Sequence, residues 1–201
     1  MKNVLLALTA VLATAIATPA LAGDLSGEVR FGGVANNQVN TTEYRVQYND
    51  ALYKGPINYG LELQTVQPEK QGAVSTLLSG KLGTALPGVL GLSSAAYAEV
   101  GQSLNKKVTT TVAGRTTTTG GNFEFWGAGV NAAYPVGATA LTLKAGYRHR
   151  ESFNNSRMKE DRLHSGIDWN VTKKTAIGAT YYRTTGSIRT DEVGVGITHS
   201  F

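Results

Sequence analysis

Cysteine is absent from the chain. That excludes a disulfide framework, a thiol nucleophile and a thiolate metal site. Long apolar runs are scarce as well. A helix needs about 20 consecutive apolar residues to span a bilayer. The run from Val4 to Ile16 is too short. The next most apolar stretch, Gly83 to Val100, is broken by Pro87-Gly88, Gly91 and paired serines, and it carries Glu99. Clustered charge of one sign is also missing. The formal net charge is +5, but the basic residues are spread along the chain, which argues against a nucleic-acid partner. No metal-ligand spacing or phosphate-binding loop stands out, so neither metal nor cofactor is expected.

The N-terminus has the layout of a secretory signal peptide. Lys2 supplies a positive start, Val4 to Ile16 an apolar core, and Ala20-Leu21-Ala22 a small-residue cleavage site after Pro19. The expectation is a leader over 1–22 and one exported domain over 23–201.

From Leu25 onward the chain alternates with period two in runs of roughly ten residues, the pattern of strands with one apolar face. Leu25, Val29 and Phe31 stand against Glu28 and Arg30, and Tyr44, Val46 and Tyr48 against Glu43, Arg45 and Gln47. Ile57, Tyr59, Leu61 and Leu63 oppose Asn58, Glu62 and Gln64. Val74, Thr76, Leu78 and Leu82 oppose Ser79 and Lys81, with Leu77 breaking the polar face. A turn at Leu86-Pro87-Gly88 then leads to Leu90, Leu92, Ala96 and Val100 against Tyr97 and Glu99. Past an irregular loop from Gln102 to Asn122 come Trp126 to Tyr134, Leu141 to Arg150, Leu163 to Trp169 and Ile177 to Tyr181. Turn signals at Asn36-Asn37, Asn49-Asp50, Pro68-Glu69-Lys70, Pro135, Asn154-Asn155-Ser156 and Thr185-Gly186-Ser187 separate the runs.

The last run ends the chain. Val193, Val195, Ile197, His199 and Phe201 share one face, and Glu192, Gly194, Gly196, Thr198 and Ser200 share the other. This closing alternation onto a final Phe resembles bacterial outer-membrane β-barrel proteins. The resemblance implies an all-β, transmembrane up-and-down antiparallel barrel, located in the outer membrane of a Gram-negative-type bacterium and reached through the periplasm. It also implies lipid partners including lipopolysaccharide, and the barrel assembly machinery during insertion. The runs number about ten, an even count, with eight as the alternative. Short connections after even-numbered strands and longer ones after odd-numbered strands fit periplasmic turns and external loops. Tyr48, Tyr134, Trp169 and Phe201 would form one interfacial aromatic belt; Phe31, Trp126, Tyr147 and Tyr181 would form the other. A soluble sandwich would need the charged face toward water and the apolar face in a dry core.

Hairpin registers test the face assignment. Pairing Arg30 with Glu43 also pairs Glu28 with Arg45, and pairing Tyr147 with Leu163 sets Arg150 against Glu160. Pairing Tyr181 with Val193 sets Gly178 against Gly196. The expected lumen then holds Glu28, Glu43, Glu62, Glu99, Glu160, Asp168 and Glu192 with Arg30, Arg45, Lys81, Lys144, Arg148, Arg150 and Arg162, beside His164. Arg148 opposite Arg162 needs a compensating carboxylate, water or an anion. Two functions follow: a porin-like narrow channel for ions or small solutes, or a non-conducting structural or surface-interaction barrel with an ion-paired interior. Catalysis has little support. His164-Ser165 and His199-Ser200 are strand neighbours pointing to opposite faces, and His149 near Asp161 has no serine beside it.

Overall fold

The computed structural model describes residues 23–34, 40–52, 55–68, 74–105, 108–112, 115–119, 121–153, 158–187 and 189–201. The leader over 1–22 lies outside them, as do the turn signals at Asn36-Asn37, Glu69-Lys70 and Asn154-Asn155-Ser156.

The strands are β1 (Asp24–Val34), β2 (Asn40–Ala51), β3 (Ile57–Pro68), β4 (Ser75–Val89), β5 (Leu92–Ser103), β6 (Val108–Val112), β7 (Arg115–Thr119), β8 (Glu124–Pro135), β9 (Leu141–Ser152), β10 (Lys159–Asn170), β11 (Thr175–Gly186) and β12 (Thr190–Ser200). Ten of them form one closed antiparallel barrel in chain order, with β12 returning to pair with β1. Leu25 sits against His199, and Glu28 against Gly196, across that seam. Closure leaves no free sheet edge. β6 and β7 form a separate two-stranded hairpin between β5 and β8.

The hairpin registers match the sequence expectation residue for residue. Arg30 pairs with Glu43, Glu28 with Arg45 and Leu25 with Tyr48. Tyr147 pairs with Leu163, Arg148 with Arg162 and Arg150 with Glu160. Tyr181 pairs with Val193, and Gly178 with Gly196. Each alternation has one side it can bury, so a slip of one residue would turn every charge outward.

Three expectations are corrected. Asn49-Asp50 and Thr185-Gly186 do not separate strands: Asn49 and Asp50 pair with Gly60 and Tyr59 inside β2, and Thr185 and Gly186 with Asp161 and Glu160 inside β11, because the partner strand still offers backbone groups to turn-prone residues. The β4–β5 turn is not at Leu86-Pro87-Gly88: β4 continues to Val89, and the register shifts between Leu86 and Val89. Pro87 has no N–H to give the ladder, and a bulge absorbs it. The chain reverses instead at Leu90-Gly91, whose φ values of 52° and 81° suit a two-residue hairpin. The stretch from Gln102 to Asn122 is not wholly irregular either. Its threonine clusters pair, Thr109 with Thr118 and Thr110 with Thr117, because β-branched residues favour an extended backbone.

The barrel has two unlike ends. Both chain ends of the barrel, Asp24 and Ser200, lie at the end that also carries the tight turns such as Leu90-Gly91. We call this the terminal end and the opposite one the loop end.

Candidate functional site

Charge is the main content of the barrel interior. Neighbouring strands start it, since β1 presents Glu28 and Arg30 to Glu43 and Arg45 of β2. Arg30 bonds Glu43, and its Nη2 lies 2.7 Å from Glu28 Oε2. Arg45 passes the chain of contacts to β3 through Glu62 at 2.5 Å, and Lys81 of β4 meets the same carboxylate at 2.6 Å. The far wall then reaches over. Arg150 of β9 holds Glu62 at 2.9 Å and grips Glu99 through two hydrogen bonds of 2.7 and 2.8 Å, while its Nη1 donates to Gln64 at 3.0 Å. Arg148 contacts Glu62 at 3.4 Å, and Arg162 of β10 contacts Glu43 at 3.5 Å. Glu62 is therefore the hub, taking Arg45, Lys81, Arg148 and Arg150 at once.

The facing arginines Arg148 and Arg162 are compensated by a carboxylate, as one sequence reading supposed. Glu160 lies 2.6 Å from Arg148 and 3.3 Å from Arg162. Glu192 stands 4.0 Å from Arg162. The layer thus balances Arg30, Arg45, Lys81, Arg148, Arg150 and Arg162 against Glu28, Glu43, Glu62, Glu99, Glu160 and Glu192. Such neutrality matters because a buried charge without its partner costs several kcal/mol, whereas paired and hydrogen-bonded charges offset much of their desolvation.

An apolar cap covers the layer toward the loop end. Leu77, Phe125 and Met158 are buried together with Phe123 beside them. The Arg150 guanidinium carbon lies 5.0 Å from the Phe125 ring centroid, so the cap rests on the charges. Gly101 makes room: a Cβ there would stand 2.3 Å from the Phe125 ring. Phe125 and Arg150 are both 0% exposed. Leu77, which broke the polar face in sequence, is the β4 member of this cap.

Toward the terminal end the same lumen is open. A cavity of about 830 Å³ runs there, lined by Gln47, Asn49, Asn131, Lys144, Asp168 and Tyr97 among others. Asn131 is exposed although it is on the inner face. Lys144 and Asp168 pair at 2.6 Å with 33% and 21% of their side chains exposed. Tyr182 closes the side of this vestibule, donating to Glu28 at 2.6 Å beneath the Arg30 guanidinium, 3.7 Å from its ring centroid. His164 lies against Tyr182, with centroids 5.7 Å apart. The interior is a water-accessible vestibule ending at a largely buried, ion-paired layer.

No protein-family model matches the sequence, and no curated protein matches it. Solved structures do. The chain is similar to the β-domain of the Bordetella autotransporter BrkA, with TM-score 0.58 and 12% identity, over 90% of this chain and 100% of that one. It is similar to the NanC porin, with TM-score 0.54 and 10% identity, again over 90% and 100%. The translocator domain of NalP from Neisseria meningitidis follows at TM-score 0.50 and 10% identity, over 94% and 92%. The fold is that of an outer-membrane β-barrel. These neighbours are a porin and two autotransporter domains, not enzymes.

For an outer-membrane barrel the outward face is the lipid face, and its side chains fit. Val193, Val195, Leu61, Leu63, Leu143 and Ile167 are all exposed. Phe31, Trp126, Tyr134, Tyr147, Trp169 and Tyr181 are exposed on this face near strand ends. Tyr48 and Phe201 are half-buried. Tyr48 donates to Asp50 at 3.0 Å, and Phe201 stacks edge-on to His199 at 5.0 Å. Arginine in place of Val195, at the middle of β12, should cost the folded barrel about 2–4 kcal/mol. Urea titration in lipid vesicles measures that loss, and an unchanged midpoint would mean that this face does not meet lipid.

The residues with catalytic potential are not assembled for catalysis. His164 and Ser165 face opposite sides of the wall, one in the vestibule and one outward. His149 Nδ1 lies 2.9 Å from Asp161, which also accepts from Tyr147, but all three stand on the outer face near Trp126. His199 meets Thr175 at 3.0 Å on the outside of the terminal end. Among the described residues no group of His, Asp and Glu could hold a metal ion.

Phe125, Met158 and Tyr182 were not singled out from sequence. For Phe125 and Tyr182 the signal was parity alone, each lying next to an outward aromatic, Trp126 or Tyr181.

Proposed function

We propose that this chain is an outer-membrane barrel with a closed lumen, a structural or surface-interaction protein rather than a free-running pore. The observation that carries the reading is the burial of the layer and its cap. Arg30, Glu43 and Glu62 are each 1% exposed inside the barrel, and water meets neither Arg150 nor Phe125. An open channel would leave its lining wet. The autotransporter neighbours and the NanC porin share the fold, and that likeness is neutral between the readings. In this account the leader exports the chain, the terminal end faces the periplasm and the longer connections face outward. The outer rim, with Tyr147, His149, Asp161 and Arg183, then meets lipopolysaccharide headgroups. Phe201 and its strand serve recognition by the barrel assembly machinery.

A narrow channel is the second reading, and the open vestibule favours it, because half of a passage already exists. Swelling of proteoliposomes in arabinose separates the two. The closed reading expects swelling no faster than in protein-free vesicles. Swelling at a rate proportional to protein content would overturn it.

A further inference from the structure

The vestibule ends on an uneven surface. Arg30, Arg45, Lys81, Arg148 and Arg162 of the ion-paired layer line the cavity. Of the layer's carboxylates only Glu28 does; Glu43, Glu62, Glu99, Glu160 and Glu192 lie behind the cations. The layer is neutral as a whole but shows its positive side to the cavity. A second observation points the same way. Arg148, one of these lining cations, is not saturated by the layer: its Nε has no hydrogen-bond partner among the described residues, and Nη1 and Nη2 each donate to one carboxylate, Glu62 and Glu160. Each terminal nitrogen carries two N–H groups, so the head keeps donors for a further acceptor.

We propose that the inner end of the vestibule is a binding site for a small anion, a carboxylate or a phosphate, entering from the terminal end. Arg148, Arg45 and Lys81 supply the charge and the donors. Lys81 stands 5.3 Å from the Tyr97 ring centroid, and that ring lies over Gly129, where a Cβ would be 2.5 Å from the tyrosine hydroxyl. This packing pins the ring beside the cations, so one side of the site is preformed. At about 830 Å³ the vestibule admits a small organic acid or phosphate ester together with water. Nearer the mouth Lys144 is paired with Asp168, and Asp24 and Asp50 also line the cavity, so the positive excess belongs to the inner end. The position at a closed end rests on the reading of the lumen given above; the charge segregation does not.

Calorimetric titration of the folded full-length barrel in detergent at low salt tests this, with inorganic phosphate and succinate as probes and arabinose as the neutral control. Two variants accompany it. Arg148→Gln removes a lining cation and its donors. Ala95→Glu sets a carboxylate on the vestibule wall without removing any member of the ion-paired layer. Saturable binding of phosphate or succinate is expected, weakened roughly 10- to 100-fold by each substitution. Should Arg148→Gln fail to fold, Ala95→Glu decides alone. Absence of saturable binding, equal binding of arabinose, or affinity unchanged in Ala95→Glu would overturn the site. Anion binding by a preparation that also swells in arabinose would support the site and overturn only the closed lumen.

Discussion

Replacing Glu62 with Ala is expected to destabilise the folded barrel by about 3–5 kcal/mol, the cost of removing one partner from a buried ion pair. The reason is the number of cations that depend on it. Arg45, Lys81, Arg148 and Arg150 all lie within 3.4 Å of its carboxylate oxygens, and the residue is 1% exposed. Arg150 keeps Glu99 and Arg148 keeps Glu160, but among the described residues Lys81 has no other carboxylate within ion-pair distance. Four cations would then share one charge fewer around a carboxylate that is itself buried. Glu62→Gln should lose less, because its amide oxygen still accepts a hydrogen bond although the charge is gone. Urea unfolding in vesicles, read by tryptophan fluorescence, ranks the three proteins. Equal midpoints for all of them would mean that the layer is hydrated and weakly coupled.

Phe125→Ala should cost a similar amount, about 3–5 kcal/mol, for a different reason. Its ring is the centre of the apolar cap, packed with Leu77 and Met158 and laid against Arg150. Truncation leaves a cavity over Gly101, a position with no side chain to fill it. Water entering that cavity would reach Arg150 and soften the charged layer below. The effects of Phe125→Ala and Glu62→Ala should therefore not add, since both variants act on Arg150. A loss under about 1 kcal/mol for Phe125→Ala would mean that the cap is loosely packed and refills easily.

The contrast between Arg150 and Phe125 shows what was legible in the sequence. The neighbours of Arg150 along the sheet followed from period-two alternation: its hairpin partner Glu160 and the companion pairs Arg30–Glu43 and Glu28–Arg45 could all be read by sliding one run against the next. Its strongest contacts could not. Glu99 of β5 reaches Arg150 over Gly127 of β8, which stands level with both, and Glu62 of β3 meets it across the lumen because of how the closed sheet is staggered around its axis. Hairpin register alone leaves that stagger undetermined. Phe125 and Leu77 were obscured by their own chemistry. Apolar residues on a polar face look like errors of parity until the fold shows them gathered at one end of the lumen. The threonine clusters of β6 and β7 carry no apolar alternation, so nothing in the pattern marked them as strands. The turn at Leu90-Gly91 was displaced toward Pro87-Gly88, the stronger turn signal, which the barrel accommodates as a bulge.

The same distinction governs function. The inventory of lumen charges was consistent with a narrow pore and with a sealed barrel, because charges can line water or neutralise one another. What favours the sealed reading is convergence on Glu62 from strands on both walls, under an apolar cap.

Single-channel recording in planar bilayers tests that reading most directly. The wild-type barrel is expected to insert without unitary current steps, and the Glu62→Ala/Phe125→Ala double variant to show them. Stable open steps in the wild type, unchanged in size in the double variant, would contradict a lumen closed by this layer and cap.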